Sequence, residues 1–260
     1  MGFLTTRVTA VSTYAAELVR HGIAEQVGPI EDEVLFVLDG VGGFQFAPLL
    51  IRRALRQESA AIGTVLYAWQ FGLPGEIWTD LMWLRRNRVM GARLARRLLS
   101  FHRHHPQARI HLAAFSGGAG IGVFALETLG RRSVVETLLL PCPAISPTYN
   151  LGPALQNVAR AYAWVSARDT GILGLGTRVF GTTDRQFTAA AGSLGFKRPP
   201  GLARGDANAY DRLWEVHWAP ELKQLGHSGG HTGWVSVPFL RRHLLPMLHG
   251  HPLLQCRAVT

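Results

Sequence analysis

Short apolar segments alternate with longer amphipathic segments along this chain, and this alternation restricts its fold more than any other feature. Runs such as VLFVL (34–38) and TLLL (137–140) are continuously apolar, which is typical of strands buried on both faces of a sheet. Helical patterns separate the runs, so we expect parallel strands joined by right-handed crossovers. The six candidate strands are EVLFVLDG (33–40), TVLYAWQF (64–71), ARIHLAAFS (108–116), VVETLLLPCP (134–143), ARAYAWVSARD (159–169) and RLWEVHW (212–218).

These elements predict an α/β fold with a doubly wound, mostly parallel sheet. The 260 residues contain no repeat, linker or low-complexity tract, so we expect one domain spanning 1–260. One glycine-rich segment, 170–211, is too long for an ordinary connection and precedes the last predicted strand. It is either a lid-like excursion or a surface insertion without a chemical role.

The formal net charge of +10 is concentrated on one predicted helix, because no acidic residue occurs between Asp80 and Glu127. Arginines stand there at 85, 86, 88, 93, 96, 97 and 103. The apolar positions with helical spacing are Ile77, Leu81, Leu84, Gly91, Leu94, Leu98 and Phe101. This stripe predicts an amphipathic helix whose arginines face solvent. Binding of nucleic acid or another anionic surface is the alternative; no nucleic acid is expected, because interleaved aromatic residues are lacking.

The lack of a recognisable targeting signal and the low number of cysteines favour a soluble, cytoplasmic protein. Only two cysteines occur, Cys142 and Cys256, so neither a disulfide framework nor a cysteine-based metal site is expected. The first 22 residues lack the apolar core of an export signal. No run of eighteen apolar residues predicts a transmembrane segment, and the sequence leaves the oligomeric state open.

Ser116 lies between the strand RIHLAAF and a glycine cluster, at the carboxyl end of a strand where α/β sheets gather reactive groups. A serine nucleophile in a strained strand-to-helix turn needs small residues two positions before and after it, and Ala114 and Gly118 meet that need. A phosphate-binding loop is disfavoured, because the G-x-G-x-x-G spacing fails and no G-K-[ST] follows. A serine that only caps a helix is the structural alternative.

The partners of a serine nucleophile follow it in the order acid, then histidine. Asp169 is the first carboxylate after Glu136 and closes the strand AYAWVSARD. His227 and His231 both lie in the glycine-rich loop after the last predicted strand. We favour His231 as the base, because its flanking glycines allow close approach, and keep His227 as the alternative.

An acyl-transfer site also needs N–H donors for the developing oxyanion. Gly117, directly after the serine, supplies one donor. The loop LDGVGGF, after the first predicted strand, supplies the second, for which we favour Val41. Asp39 in the same loop would oppose an oxyanion unless its carboxylate turns away.

At these residues the chain resembles the α/β-hydrolase superfamily, specifically its lipase-like and esterase-like serine hydrolases, over roughly Glu33 to Leu248. The resemblance implies Ser116 as nucleophile, Asp169 as acid and His231 as base, with an oxyanion hole formed by Gly117 and Val41. It implies no cofactor and no metal. The sequence departs from the family pattern at Ala114 and Asp39, and it lacks clear counterparts of the first two family strands, so the sheet is expected to be abbreviated at the N-terminus.

The expected function is therefore a serine hydrolase that cleaves a carboxylic ester through an acyl-enzyme on Ser116. Apolar residues near the expected mouth favour a small-molecule ester with an apolar group; they are Phe44, Phe46, Trp69 and Phe71. A thioester or an amide stays open as the substrate. So does a catalytically inactive binding or scaffold protein with a hydrolase fold.

Overall fold

The computed structural model describes residues 26–27, 32–70 and 77–259, and it contains an eight-stranded sheet in the order β1-β3-β2-β4-β5-β6-β7-β8. The strands are β1 Gln26–Val27, β2 Glu33–Leu38, β3 Gly63–Leu66, β4 Arg109–Ala114, β5 Val135–Pro141, β6 Val158–Val165, β7 Leu213–His217 and β8 Arg257–Ala258. The six strands from β2 to β7 pair in parallel, and the edge strands β1 and β8 pair antiparallel. The predicted doubly wound, mostly parallel sheet is confirmed.

Helices connect the strands, and most are short after β6. The α-helices are α1 Phe46–Gln57, α2 Ile77–Met82, α3 Leu84–His104, α4 Gly118–Leu129, α5 Gly152–Leu155, α6 Thr177–Phe180, α7 Ala191–Leu194, α8 Arg204–Ala209 and α9 Val237–Leu248. A π-helix, Thr170–Gly176, precedes α6, and a 3₁₀ turn, Tyr210–Arg212, leads into β7. The long segment 170–211 is thus a chain of short helices. None of the helices among the described residues has the length and apolar content needed to cross a membrane.

Both faces of the sheet are buried, and β2 shows why its sequence is continuously apolar. Its six residues are all buried. Val34 and Phe36 point into the core that contains α3 and α4, whereas Leu35 and Val37 point into the opposite core with α1 and α9. A strand covered on both sides has no solvent-facing position, so a strictly alternating pattern is absent.

The two edge strands were not predicted. Each has two residues, so neither presents a run long enough to show a strand period. Because β1 precedes Glu33 and pairs with β3, one short strand does lie before the predicted start of the sheet. Residues 1–25, which cover the expectation about an export signal, and Phe71 lie outside the described residues.

The arginine-rich region forms two helices, not the single predicted one. They are α2 and α3, separated at Trp83. Gly91 allows α3 to approach α4, because a Cβ on Gly91 would lie 2.7 Å from the Cβ of Phe124. Most arginines of α3 are exposed, as expected for a solvated face. Arg86 differs: it is half-buried and forms an ion pair with the buried Asp80.

Candidate active site

Ser116 occupies a tight turn between β4 and α4, with a backbone φ of 53°. This left-handed conformation is rare for a residue with a side chain. Three backbone hydrogen bonds fix it: the Ser116 N–H donates to the Pro141 carbonyl, and the Ser116 carbonyl accepts from Ala119 and Ala144, at 3.0 to 3.1 Å. Only 4% of Ser116 is exposed.

The small residues around Ser116 are required by contacts across the turn. A Cβ on Gly118 would lie 2.6 Å from the Asp39 carbonyl oxygen, and one on Gly122 would lie 3.0 Å from the Cβ of Ala114. The alanine two positions before the serine is therefore accommodated because glycine stands opposite it at 122. This pairing gives a physical account of the departure at Ala114 from the family pattern.

His231 lies between Ser116 and Asp169 and contacts both. Its Nε2 is 2.9 Å from the Ser116 Oγ, and its Nδ1 is 2.5 Å from the Asp169 Oδ2. A carboxylate only accepts hydrogen bonds, so Nδ1 carries the hydrogen and Nε2 is left to accept from the serine hydroxyl. The imidazole packs against the Phe115 ring, with ring centres 5.0 Å apart.

Asp169 is held by the helix that follows it. It is 3% exposed and is the N-cap of the π-helix Thr170–Gly176, where its Oδ1 accepts a hydrogen bond from the Leu173 N–H at 3.3 Å. The other oxygen, Oδ2, is thereby left to His231. Ser166, three residues earlier, donates from its Oγ to the Gly229 carbonyl at 2.5 Å, which ties the aspartate loop to the histidine loop.

His227 does not contact Ser116 or Asp169 through any hydrogen bond in the described residues. It is buried, its Nδ1 accepts from the Gly229 N–H at 3.2 Å, and its ring packs edge-on against Phe239. Burial, together with a smaller contribution from the nearby His243, lowers the pKa of His227 to about 4. Its surroundings are those of a neutral core histidine. The structure therefore places His231, and not the alternative His227, next to the serine.

Gly117 and Val41, the expected oxyanion donors, lie side by side. A Cβ on Gly117 would be 2.8 Å from the Val41 Cγ1. Within the described part of the chain, neither backbone N–H donates a hydrogen bond to another protein group. Both donors thus remain available to a bound molecule.

The Asp39 carboxylate turns away from this pair of N–H groups. It accepts hydrogen bonds from the Phe46 N–H at 3.0 Å and the Ala47 N–H at 3.3 Å, at the N-terminus of α1. Burial raises the pKa of Asp39, and backbone N–H groups, including those of Phe46 and Ala47, oppose this rise. Because the Asp39 carboxylate is bonded to the N-terminus of α1, it does not oppose an oxyanion at Gly117 and Val41.

Asp80 and Arg86 stabilise the loop that carries Val41, a role that was not predicted from the sequence. The Gly42 N–H donates to the Asp80 Oδ2 at 2.9 Å, and Arg86 lies 3.6 Å from the Asp80 Oδ1. Arg86 also donates to the Trp69 carbonyl. The one sequence feature that could have indicated this role is the position of Asp80, the last acidic residue before the long arginine-rich stretch.

The aromatic residues expected at the mouth have different surroundings. Phe44 is 60% exposed, whereas Trp69 is fully buried and packs over Gly117. Trp69 also donates from its Nε1 to the Asp39 carbonyl at 2.9 Å, so it helps to hold the loop that carries Val41 in place. Phe46 is the first residue of α1 and is partly buried against the core. Of these three, only Phe44 is exposed.

Structural comparison finds esterases and a cutinase-like protein. The chain is similar to a cutinase-like protein from Cryptococcus sp., with a TM-score of 0.43 and 14% identity, covering 81% of this chain and 90% of that one. It is similar to an esterase of Pyrobaculum calidifontis, with a TM-score of 0.44 and 13% identity, covering 95% and 92%. A thermophilic carboxylesterase cloned from a metagenomic library has a TM-score of 0.39 and 16% identity, covering 86% and 79%. No family model and no curated protein matches the chain.

The fold is established by the chain's own features. The parallel strands β2 to β7 place Ser116 in the turn after β4, Asp169 after β6 and His231 after β7. The loop after β2, which carries Val41, lies beside the residue that follows the serine. This sheet, this strained turn and the order serine, aspartate, histidine give the chain the α/β-hydrolase fold.

Proposed function

We propose that this chain is a serine hydrolase that cleaves carboxylic esters through an acyl-enzyme on Ser116. The observation that carries the proposal is the position of His231, whose two ring nitrogens lie 2.9 Å from the Ser116 Oγ and 2.5 Å from the Asp169 Oδ2. A serine hydroxyl is a weak nucleophile unless a base accepts its proton, and an imidazole held by a carboxylate is such a base.

Acylation begins when the Ser116 Oγ attacks the ester carbonyl carbon and its proton moves to the Nε2 of His231. Asp169 stabilises the resulting imidazolium through the hydrogen bond from Nδ1. The carbonyl oxygen becomes an oxyanion, which accepts hydrogen bonds from the N–H groups of Gly117 and Val41. When the tetrahedral intermediate collapses, the proton on Nε2 passes to the departing alkoxide and an alcohol leaves.

Deacylation repeats these steps with water as the nucleophile. His231 Nε2 takes a proton from the water, and the resulting hydroxide attacks the acyl carbonyl carbon. The same two N–H groups stabilise the second oxyanion. Collapse breaks the bond to the Ser116 Oγ, which recovers its proton from Nε2, and the carboxylic acid product leaves. The cycle requires no cofactor.

An ester with an apolar acyl or alcohol group is the substrate class that the surroundings of Ser116 favour. Several large apolar side chains are exposed on the Val41 loop and on the segment that follows Asp169, and an apolar lining of this kind suits an apolar ligand group. They are Phe44 in the Val41 loop, Ile172 and Leu175 in the π-helix capped by Asp169, Val179 in α6 and Phe187. We propose that the beginning of the segment 170–211 acts as a lid-like wall of the acyl site.

Covalent labelling tests the reaction. We expect a fluorophosphonate probe to form one adduct, located by peptide mass at Ser116, and to form none in Ser116→Ala. The variant Ser146→Ala is a matched control, because Ser146 is also buried but donates to Asp184, not to a histidine. Folded protein that stays unlabelled would support the scaffold alternative, and label on another serine would exclude Ser116 as the nucleophile.

A further inference from the structure

Cys142 lies beside the proposed acid and base, and the proposed reaction does not use it. It follows β5 directly, is 2% exposed, and has a backbone φ of 45°. Its N–H donates to the Trp164 carbonyl at 3.1 Å, and the preceding Pro141 carbonyl accepts from the Ser116 N–H. The cysteine is thus fixed between the nucleophile turn and the strand that leads to Asp169.

Three different metal-binding side chains meet at this position. One ligand atom from each of Cys142, Asp169 and His231 lies within 4.8 Å of the other two. Thiolate, carboxylate and imidazole are the ligands that zinc prefers in proteins, and a site with three protein ligands leaves the fourth position to water. His231 has 11% of its side chain exposed, against 2% for Asp169, so the cluster is open to solvent on the His231 side.

We propose that Cys142, Asp169 and His231 form an inhibitory site for a thiophilic divalent cation, with Zn²⁺ as the best-matched ion. On binding, the Cys142 thiol releases its proton to solvent and its sulfur bonds the ion as thiolate. His231 changes tautomer: the hydrogen leaves Nδ1, which bonds the ion through its lone pair, and Nε2 takes up a hydrogen, so the imidazole stays neutral. The Asp169 carboxylate supplies the third bond, so one proton, that of the thiol, leaves for each ion bound.

Inhibition follows from the distances. Bonds of about 2.0 to 2.3 Å in a tetrahedral site keep neighbouring ligand atoms about 3.5 Å apart. The Asp169 Oδ2 and His231 Nδ1 are now 2.5 Å apart, so they must separate when an ion enters. The imidazole then loses the hydrogen bond that orients it toward Ser116. The ion binding itself does not depend on the proposed hydrolase function, but the loss of activity does.

A Co²⁺ titration tests the site without reference to activity. Protein free of chelator and thiol reductant is titrated with CoCl₂, because a thiolate ligand gives bound Co²⁺ a charge-transfer band in the near ultraviolet. We expect the band in the unaltered chain, in Ser116→Ala and in Cys256→Ala, and we expect its loss in Cys142→Ala. Cys142→Gly is the second variant in case Cys142→Ala does not fold, because glycine adopts a φ of 45° without strain.

A Zn²⁺ titration of fluorophosphonate labelling then tests inhibition. The concentration of Zn²⁺ that halves the labelling rate should rise at least about 10-fold in Cys142→Ala and Cys142→Gly, each compared with its own metal-free rate, and should not change in Cys256→Ala. If the unaltered chain gives the Co²⁺ band but is not labelled by the fluorophosphonate probe, the metal site is supported and the hydrolase proposal is overturned. A band that survives the loss of Cys142, which would then have to come from the Cys256 thiolate, or a Zn²⁺ sensitivity that survives it would overturn the metal site.

Discussion

The Asp80 carboxylate accepts a hydrogen bond from the Gly42 N–H at 2.9 Å, and so joins the start of the arginine-rich region to the loop that carries Val41. The carboxylate is fully buried and is paired with Arg86. The bond fixes the backbone of Gly42, the residue next to the proposed oxyanion donor Val41. Asp80 is thus a positioning residue for the proposed oxyanion hole.

Replacement of Asp80 should lower turnover more than substrate affinity. We expect Asp80→Ala to reduce kcat for an activated ester by about 10-fold, less than the 10² to 10³ that follows direct loss of an oxyanion donor, with a small change in KM. Asp80→Asn retains an acceptor for Gly42 and should recover part of the loss. Steady-state kinetics and thermal unfolding of both variants separate this effect from simple destabilisation. Equal kcat in all three proteins would remove Asp80 from the site.

Loss of His231 should abolish most of the activity. We expect His231→Ala to lower kcat by about 10³-fold or more, because no other group accepts the Ser116 proton. His227→Ala should retain far more activity but unfold at a lower temperature, since it removes a buried ring that packs on Phe239. Activity and melting temperature of the two variants, measured side by side, check the assignment. The reverse pattern would make His227 the base.

The lack of a side chain at Gly117 should be essential for the geometry of the oxyanion hole. An added methyl group would lie 2.8 Å from the Val41 Cγ1 and 3.3 Å from the buried Trp69 ring, so the Val41 side chain or its loop must shift. We expect Gly117→Ala to lower kcat by about 10²-fold. Gly205→Ala is a suitable control, because its added Cβ meets its nearest neighbour at an ordinary 3.8 Å. Similar kinetics for both variants would argue against Gly117 as a donor.

Stability should fall as the pH falls from about 6.5 to about 4. Burial lowers the pKa of His111, His227 and His243 to about 4 in the folded chain, from 6.5. The unfolded chain therefore binds more protons in this window, and protonation favours unfolding. Above the window the three rings are neutral in both states and add no pH dependence.

The contribution of one ring can be isolated at His243, whose ring nitrogens have no hydrogen-bond partner among the described residues. Urea unfolding midpoints measured at about pH 8 and about pH 5 should differ less in His243→Leu than in the unaltered chain. The exposed His251, changed to leucine, serves as control and should leave the difference unchanged. An undiminished difference in His243→Leu would show that other groups cause the acid sensitivity.

The arginines of α3 should contribute little to nucleic-acid binding. Gly91, Leu94 and Leu98 form the buried side of this helix, which accounts for its pattern without a partner. We expect no micromolar affinity for DNA or RNA at physiological salt. Titration by fluorescence anisotropy checks this, with Arg93→Ala and Arg96→Ala combined as the comparison variant. Tight, salt-sensitive binding that the double variant loses would establish the anionic-surface alternative.

The sequence was sufficient to predict the central sheet because its strands contain short, mostly apolar runs separated by helical patterns, such as VLFVL in β2 and LLL in β5. It was sufficient to propose Ser116, Asp169 and His231 together, because parallel strands bring their carboxyl ends to one edge. Contacts between distant segments were not predictable. Asp80 meets Gly42 across 38 positions, and no local pattern marks such a pair.

The separation of α2 from α3 was missed for a similar reason. Trp83 has no helix-breaking character, and the apolar spacing continues through it. Asp80, in α2, accepts from the Gly42 N–H, and Arg86, in α3, pairs with Asp80 and donates to the Trp69 carbonyl. Such a break between helices depends on tertiary contacts, which the helical spacing of apolar residues in the sequence does not reveal. The same limit explains why Trp69, expected at the mouth, is instead a buried residue that contacts Gly117 and donates to the Asp39 carbonyl.

The hydrogen bond from the Leu173 N–H to the Asp169 Oδ1 has a consequence for protein engineering. Residues 170–176, which we propose as a wall of the acyl site, also hold the Asp169 carboxylate that contacts His231. Exchange of this stretch for the corresponding piece of another enzyme would therefore alter selectivity and catalytic rate together. A chimaera designed to change only the substrate range should keep residues 169–174 of this chain and place its first junction after Gly174.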